Sequence, residues 1–444
     1  MFRKATLALL SLWVLVSNCH QTHHFDKPKL DSFFTAMSAH DQTMGSIAIA
    51  ENGKIVYQKA IGYSQVDGKT KTPANLKTKY KVGSITKMFT AVMVFQLIEE
   101  GKLTLNTTLG KYYPQLSNAG KITIAEMLSH RSGLHNFTSD SLYMSYKDKP
   151  MSEADMVAIF AKQKPDFEPD TKAEYSNTNF VLLGQIVEKI TGKSYREELK
   201  ERITSKIGLE DTFYGTKSNT AENEAFSYYY LGEWSQLGET DMSIPGGAGA
   251  LVSTPADLVK FIDALFTDKL ISPANLEHMK TMRGNFGMAM FMMPFDDKTG
   301  YGHNGGLDAF VSELVYFPAD KVAIAYTSNG QHYPFNNIVN GALSIYFNKP
   351  FTIPQFKTAP VIVTNLDKYL GRYISTKSPL KIAITKKKNT LFGQANGQMA
   401  YPLEAKGNDR FELGIAGLEL QFDTVKHNFI YFQNGETYEF SLVK

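Results

Sequence analysis

The sequence predicts an α+β protein: an antiparallel sheet flanked by helices, with an all-helical subdomain, followed by a small antiparallel β-barrel. Three observations carry that expectation. Hairpin signals near residue 50 and strand patterns returning near residue 285 imply one sheet that unites distant chain segments. Between them the pattern is predominantly helical to about residue 270. After Pro350 short strand candidates alternate with turns, the spacing of a barrel or sandwich.

Length and charge exclude several classes. A chain of 444 residues suits two domains better than one. Against 44 Asp+Glu stand 47 Lys+Arg, and a net +3 is too small a basic excess for a nucleic-acid surface. The single cysteine rules out an intrachain disulfide framework and a cysteine-based metal site. No uninterrupted apolar run reaches the roughly 18 residues of a membrane span.

The chain opens Met1-Phe2-Arg3-Lys4, continues with the apolar stretch Ala5 to Val16, and reaches Ser17-Asn18-Cys19, the anatomy of an export signal. Leu15-Val16-Ser17-Asn18-Cys19 resembles a lipobox with Cys19 as its lipidated residue, although Asn18 stands where Gly, Ala or Ser is usual. The expectation is a signal peptide over 1–18 and a polar tether over 19–29. That puts the protein in the cell envelope, periplasmic or held to the membrane only through a lipid on Cys19.

Gly45 to Ala50 and Ile55 to Ala60 are strand-like and flank Glu51-Asn52-Gly53-Lys54, where Asn-Gly suits a two-residue reversal. From Ser84 to Glu100 the pattern is helical, with Gly101 as its stop. Apolar residues occur nearly all round that helix, which assigns it to the core. Phe180 to Thr191 and Pro255 to Phe266 are the clearest helices of the middle region. Phe310 to Phe317 and Val322 to Thr327 read as strands joined by Pro318-Ala319-Asp320-Lys321, and Phe335 to Phe347 as the last long helix. The expected main domain spans 30–350, a Pro-containing linker 351–364, and the barrel 365–444, with turns at Asn396-Gly397, Gly407-Asn408 and Asn434-Gly435.

Chemistry concentrates in three places. Ser84-Ile85-Thr86-Lys87 heads the buried helix, so hydroxyl and amine share one face three residues apart. A serine needs a base, and burial that disfavours the charged lysine makes Lys87 a candidate. The same Ser-x-x-Lys spacing at Ser378 and at Ser441 lies in strand-rich sequence, where such residues point to opposite faces. Next, Tyr175-Ser176-Asn177 precedes a helix, where Tyr175 can relay protons and Asn177 can orient Lys87 and a substrate amide. Finally, His303-Asn304-Gly305-Gly306 runs into the strand at Phe310. Glycines there allow close approach, so the Gly306 amide can pair with that of Ser84 as an oxyanion hole. His303 and Gly305 are then candidates for binding the substrate, His303 at its anionic end.

In this order and spacing the three resemble the serine beta-lactamase and penicillin-binding superfamily, and most nearly its class C-like branch of DD-peptidases, D-aminopeptidases and carboxylesterases. Tyr80 to Lys87, Met127 to Leu134, Tyr175 to Gly184 and Gly249 to Leu258 look like that branch, and the resemblance spans about 30 to 347. The third motif there reads Lys-Thr-Gly or His-x-Gly. A literal Lys298-Thr299-Gly300 is present, but after Asp296-Asp297 it reads as a hairpin turn, so the histidine motif is preferred. Asp367 to Tyr373 resembles the opening of the lipocalin-like domain appended to some members, expected to be an accessory or packing module.

The resemblance implies a serine hydrolase that forms an acyl-enzyme through Ser84 with no metal or organic cofactor. Its substrate would be a small molecule or peptide with an amide or ester bond, first a D-amino-acid peptide. A carboxylesterase, a beta-lactamase and a non-catalytic envelope sensor are the alternatives, with a ligand carrier built on the barrel as a further one. His130 and His135 have no established metal-ligand spacing. Tyr228-Tyr229-Tyr230 can line a cleft or pack, and Met288 to Met293 suits core packing. The sequence carries no signal of oligomeric state.

Overall fold

The computed structural model describes residues 24–443 apart from 231, 357–360, 362, 397–399, 434 and the side chain of 415. The export signal, Cys19 and the turn residues 397 and 434 therefore lie outside the described residues. Among those described, no helix is long and apolar enough to cross a membrane.

One antiparallel sheet joins the two ends of the main domain. Its first strands are β1 (Thr43–Glu51) and β2 (Lys54–Ile61). The reversal between them has Asn52 at φ 51° and Gly53 at φ 73°, the double positive φ that Asn-Gly accommodates. From the far end of the domain come β3 (Phe291–Phe295), β4 (Lys298–Leu307), β5 (Phe310–Phe317) and β6 (Val322–Gln331). The order is β3-β4-β5-β6-β1-β2, with Ala48 opposite Ala325 in the β1–β6 pair. Tyr228–Tyr230 adds a short strand beside β6.

Each face of the sheet is covered. α1 (Lys27–Ala39) and, near the end of the domain, Phe335–Tyr346 close one face with Phe33, Phe34, Ile338 and Ala342. On the other face lie α2 (Thr86–Glu99), α3 (Asn177–Thr191) and α4 (Pro255–Phe266). Every residue of α2 from Thr86 to Leu97 is buried, as apolar side chains on all faces require. Phe89 stacks on Phe261 of α4 with ring centres 3.6 Å apart. Lys87 is carried into this core by its neighbours.

Three local expectations are corrected. Ser84 belongs to a 3-10 turn, Gly83–Ile85, and the α-helix begins at Thr86. α3 begins at Asn177 rather than Phe180, because its first amide is met from outside: Asn177 N–H donates to Asn136 Oδ1 at 3.0 Å. Lys298-Thr299-Gly300 is not the hairpin turn. Asp296 takes the positive φ of 53° and makes the reversal with Asp297, so Lys298 already begins β4.

Between Pro350 and Leu366 no described residue is in a helix or strand, yet the segment is held down. Phe351 meets Phe33 at 5.2 Å and Phe356 meets Tyr333 at 5.4 Å. Eight antiparallel strands then close a barrel, from Gly371–Ile374 to Glu436–Leu442. Its interior is filled by aromatic rings: Tyr369 lies 4.8 Å from Phe411, and Phe422 lies 5.0 Å from Phe429. These side chains form the barrel's own hydrophobic core. The barrel meets the main domain where Tyr401 packs on Tyr229, with ring centres 5.8 Å apart.

Candidate active site

The site forms where the 3-10 turn at Ser84, the start of α3 and the strand β4 converge. Two glycines permit the approach. Gly83 has φ +51°, and a Cβ on it would stand 2.8 Å from the Gly306 amide nitrogen. A Cβ on Gly305 would stand 2.1 Å from the Val82 carbonyl oxygen and 3.0 Å from the Ser84 nitrogen. Any side chain at either place would push β4 away from the turn. Ser312 of β5 secures the contact by donating its hydroxyl to Val82 O at 2.8 Å. Gly305 is thus a packing position, and of these two strand glycines Gly306 lines the cavity with Ser84.

Around the Ser84 hydroxyl the polar groups are close and few. Lys87 Nζ lies 2.9 Å from Ser84 Oγ, 2.8 Å from Asn177 Oδ1 and 2.8 Å from Ala248 O. Tyr175 donates its O–H to Ser84 Oγ at 2.8 Å. Lys87 is fully buried, and burial alone holds its amine well below the usual lysine range. The Tyr175 phenol is driven up by burial, against the lowering effect of its bond to Ser84. The amine is therefore biased toward its neutral form, and the phenol toward its protonated one.

Accounting for donors gives the direction of each bond. A neutral amine has two N–H groups and one lone pair. Asn177 Oδ1 and Ala248 O can only accept, so they take the two N–H groups. In that neutral form the lone pair faces Ser84, whose hydroxyl then donates to Lys87 while accepting from Tyr175. Asn177 is held in this sense by its other end, since its Nδ2 donates to Asn136 Oδ1 at 3.3 Å and Thr138 Oγ1 at 3.2 Å.

His303 sits behind this arrangement. Expected to meet the substrate's anionic end, it is instead 1% exposed and absent from the cavity wall. Its ring lies 6.2 Å from Tyr175 and 4.5 Å from Phe291. Burial, then the charge of Lys87, depress its pKa to about 3, against the hydrogen bond to Asn304 O. A neutral imidazole in that position shapes the surroundings of Tyr175 and offers no charge to a carboxylate. Lys298, at the other end of β4, is paired with Asp320 at 2.6 Å and lies over the Phe347 ring.

His130 also backs Tyr175. It occupies φ 56°, its Nδ1 accepts from the Ser176 N–H at 3.1 Å, and its ring lies 4.4 Å from that of Tyr175. His135 is bonded to Asp166 and Asp140 instead. Tyr228 is core, whereas Tyr229 lines the cavity. Met288 and Met290 are buried, and Met292 is half exposed.

Above Ser84 opens a cavity of about 340 Å³, whose wall includes Asn177, Gly306, Lys147, Tyr229 and, from the barrel, Tyr401. Asn136, Lys147 and Tyr401 were not singled out by sequence reasoning. Asn136 stands two residues beyond the stretch Met127 to Leu134 that carries the resemblance, and that adjacency is the one signal pointing to it.

Comparison with known proteins places the chain in a family. The family model described as Beta-lactamase matches residues 30–344. The chain is 24% identical to penicillin-binding protein 4* of Bacillus subtilis over 92% of its own length and 97% of that protein. It is 29% identical to the teichoic acid D-alanine hydrolase of Staphylococcus aureus, over 69% and 76%. The crystal structure of D-amino acid amidase from Ochrobactrum anthropi SV3 complexed with D-phenylalanine is 26% identical at a TM-score of 0.64, covering 72% of this chain and 99% of that one. The chain belongs to the beta-lactamase family of serine hydrolases, within the beta-lactamase and penicillin-binding protein superfamily.

Proposed function

We propose that the protein is a cell-envelope serine hydrolase that cleaves an amide or ester bond to a D-amino acid through an acyl-enzyme on Ser84. The observation that carries this reading is Lys87, buried among uncharged partners 2.9 Å from Ser84 Oγ. Ser84 Oγ attacks the carbonyl carbon as its proton passes to the neutral Lys87. The amides of Ser84 and Gly306 hold the oxyanion, and removing one such donor typically costs about a hundredfold or more in rate. Tyr175 delivers a proton to the departing amine or alkoxide and is reprotonated from Lys87. Water then attacks the ester on Ser84 with the same groups in reverse order, which regenerates the serine.

Similarity to a D-amino acid amidase and a D-alanine hydrolase supports the D-configured substrate class. The envelope location rests on the leader sequence and on kinship with penicillin-binding protein 4*. A panel of D- and L-amino-acid amides, D-peptides, nitrophenyl esters and nitrocefin, run on wild type and Ser84→Ala, tests both substrate and nucleophile. The expected result is D-selective turnover with an acyl mass adduct on Ser84, both lost in Ser84→Ala. Ester turnover with no cleavage of any D-substrate would make it an esterase, and a Ser84 that no probe acylates would make it a binding protein.

A further inference from the structure

The cavity over Ser84 contains a second charged device that the hydrolytic scheme does not use. Lys147 lines that cavity. Its Nζ donates to Asp308 Oδ1 at 2.9 Å and to Thr240 Oγ1 at 3.2 Å. Thr240 in turn donates its hydroxyl to Asp308 Oδ1 at 2.7 Å and its backbone N–H to Oδ2 at 3.0 Å. The Asp308 side chain is 1% exposed and Lys147 13%. Three donors thus satisfy the carboxylate, and although both residues line the cavity, the ammonium is the more exposed of the two side chains. An ammonium has three N–H groups, and two are engaged here. One remains for a ligand.

No other lysine or arginine lines this cavity among the described residues. Lys87 is biased to neutrality and His303 is neutral behind Tyr175, so neither offers a positive charge to a substrate. We infer that Lys147, braced by Asp308 and Thr240, is the subsite for a carboxylate carried by the substrate. This deepens the D-amino-acid reading and rests on it. A peptide ending in a free carboxylate gains a charge-assisted hydrogen bond that its amide lacks. A free substrate ammonium at that place meets a like charge instead. The favoured substrate class is therefore an acylated D-peptide acid, rather than a D-amino acid amide with a free amine facing Lys147.

The test compares kcat/KM for N-acetyl-D-alanyl-D-alanine and for its C-terminal amide. Wild type is expected to prefer the acid, and Lys147→Met to lower the acid-to-amide ratio about tenfold or more, chiefly through KM, the scale of a lost charged hydrogen bond. Because Lys147→Met leaves Asp308 buried without its cation, Lys147→Met combined with Asp308→Asn is measured beside it, with the same collapse of the ratio expected. A ratio that stays constant while both substrates decline would overturn the inference and reduce the ion pair to a brace between loops. So would a wild type with no preference. Acylation of Ser84 by a neutral nitrophenyl ester is followed in parallel. If it proceeds while neither peptide is cleaved, the carboxylate subsite fails and the nucleophile stands, whereas its absence overturns both.

Discussion

Lys87 Nζ lies 2.9 Å from Ser84 Oγ, and its other two polar neighbours, Asn177 Oδ1 and Ala248 O, are uncharged acceptors. A buried amine without a counter-ion is costly when charged, and this site therefore carries a base at the expense of stability. The sign of the effect follows from linkage. Between the depressed folded pKa and the ordinary value of about 10.4, the unfolded chain holds a proton that the folded chain lacks. Wild-type stability consequently climbs with pH through that window. Lys87→Met removes this dependence, so its melting temperature relative to wild type should fall steadily as pH rises toward about 10. Parallel melting curves of the two proteins across that range would contradict a neutral Lys87. The same variant should lose acylation by about a thousandfold or more, as expected for removal of a serine's base.

Asn136 orients Asn177, and Asn177 orients Lys87. Asn136 Oδ1 accepts from both the backbone and the side-chain amide of Asn177, which fixes Oδ1 of Asn177 toward the amine. Asn136→Ala should free that amide to rotate and lower kcat by about ten- to a hundredfold with a smaller change in KM. Steady-state kinetics on a neutral ester separate the two constants. A rise in KM at constant kcat would show Asn136 to be a substrate contact instead.

His303 gives an acid-side prediction. Its folded pKa is depressed to about 3 from an ordinary value near 6.5, so below about pH 6.5 the unfolded chain binds a proton that the folded chain refuses. Stability should decline as pH falls through that window. His303→Gln removes one such proton and should reduce the slope of unfolding free energy against pH by up to about 1.4 kcal/mol per unit. Denaturant titrations between pH 4 and 6 read that slope directly. An unchanged slope would mean that His303 charges in the folded protein.

Much of this was legible in the sequence where the signal is local. The Asn52-Gly53 reversal, the all-round apolar helix containing Lys87 and the strand pair Phe310–Phe317 and Val322 onward each follow from short-range pattern, and all are present. Ser84 and Lys87 are likewise three residues apart on a rigid element, so spacing alone brings them together. What spacing does not reveal is depth. His303 was recognisable as a motif residue, but its burial behind Tyr175 depends on Phe291 and on how β4 enters the core. The Lys147–Asp308 pair joins loops 161 positions apart, and no periodicity links them. Tyr401 is further still, on a domain whose sequence reads as an accessory or packing module and points to no one residue as a cavity wall.

Tyr401 ties the barrel to the chemistry. It belongs to the strand Tyr401–Gly407, lines the cavity that contains Ser84, and lies 5.8 Å ring to ring from Tyr229, which lines it too. A pair of aromatic rings in this arrangement is worth about 0.5–1.5 kcal/mol beyond the area it buries. If that pair closes the distal end of the substrate site, its loss should be felt by a ligand long enough to reach it. Tyr401→Ala is expected to raise KM for an extended D-peptide about three- to tenfold, while the ratio of kcat/KM for that peptide over a small acetyl ester falls by the same factor. Tyr229→Ala should have the same effect, and the double variant little more than either alone, because each ring acts through the other. Fully additive losses would mean that the rings touch substrate independently. An unaltered ratio in all three variants would return the barrel to a role in stability alone.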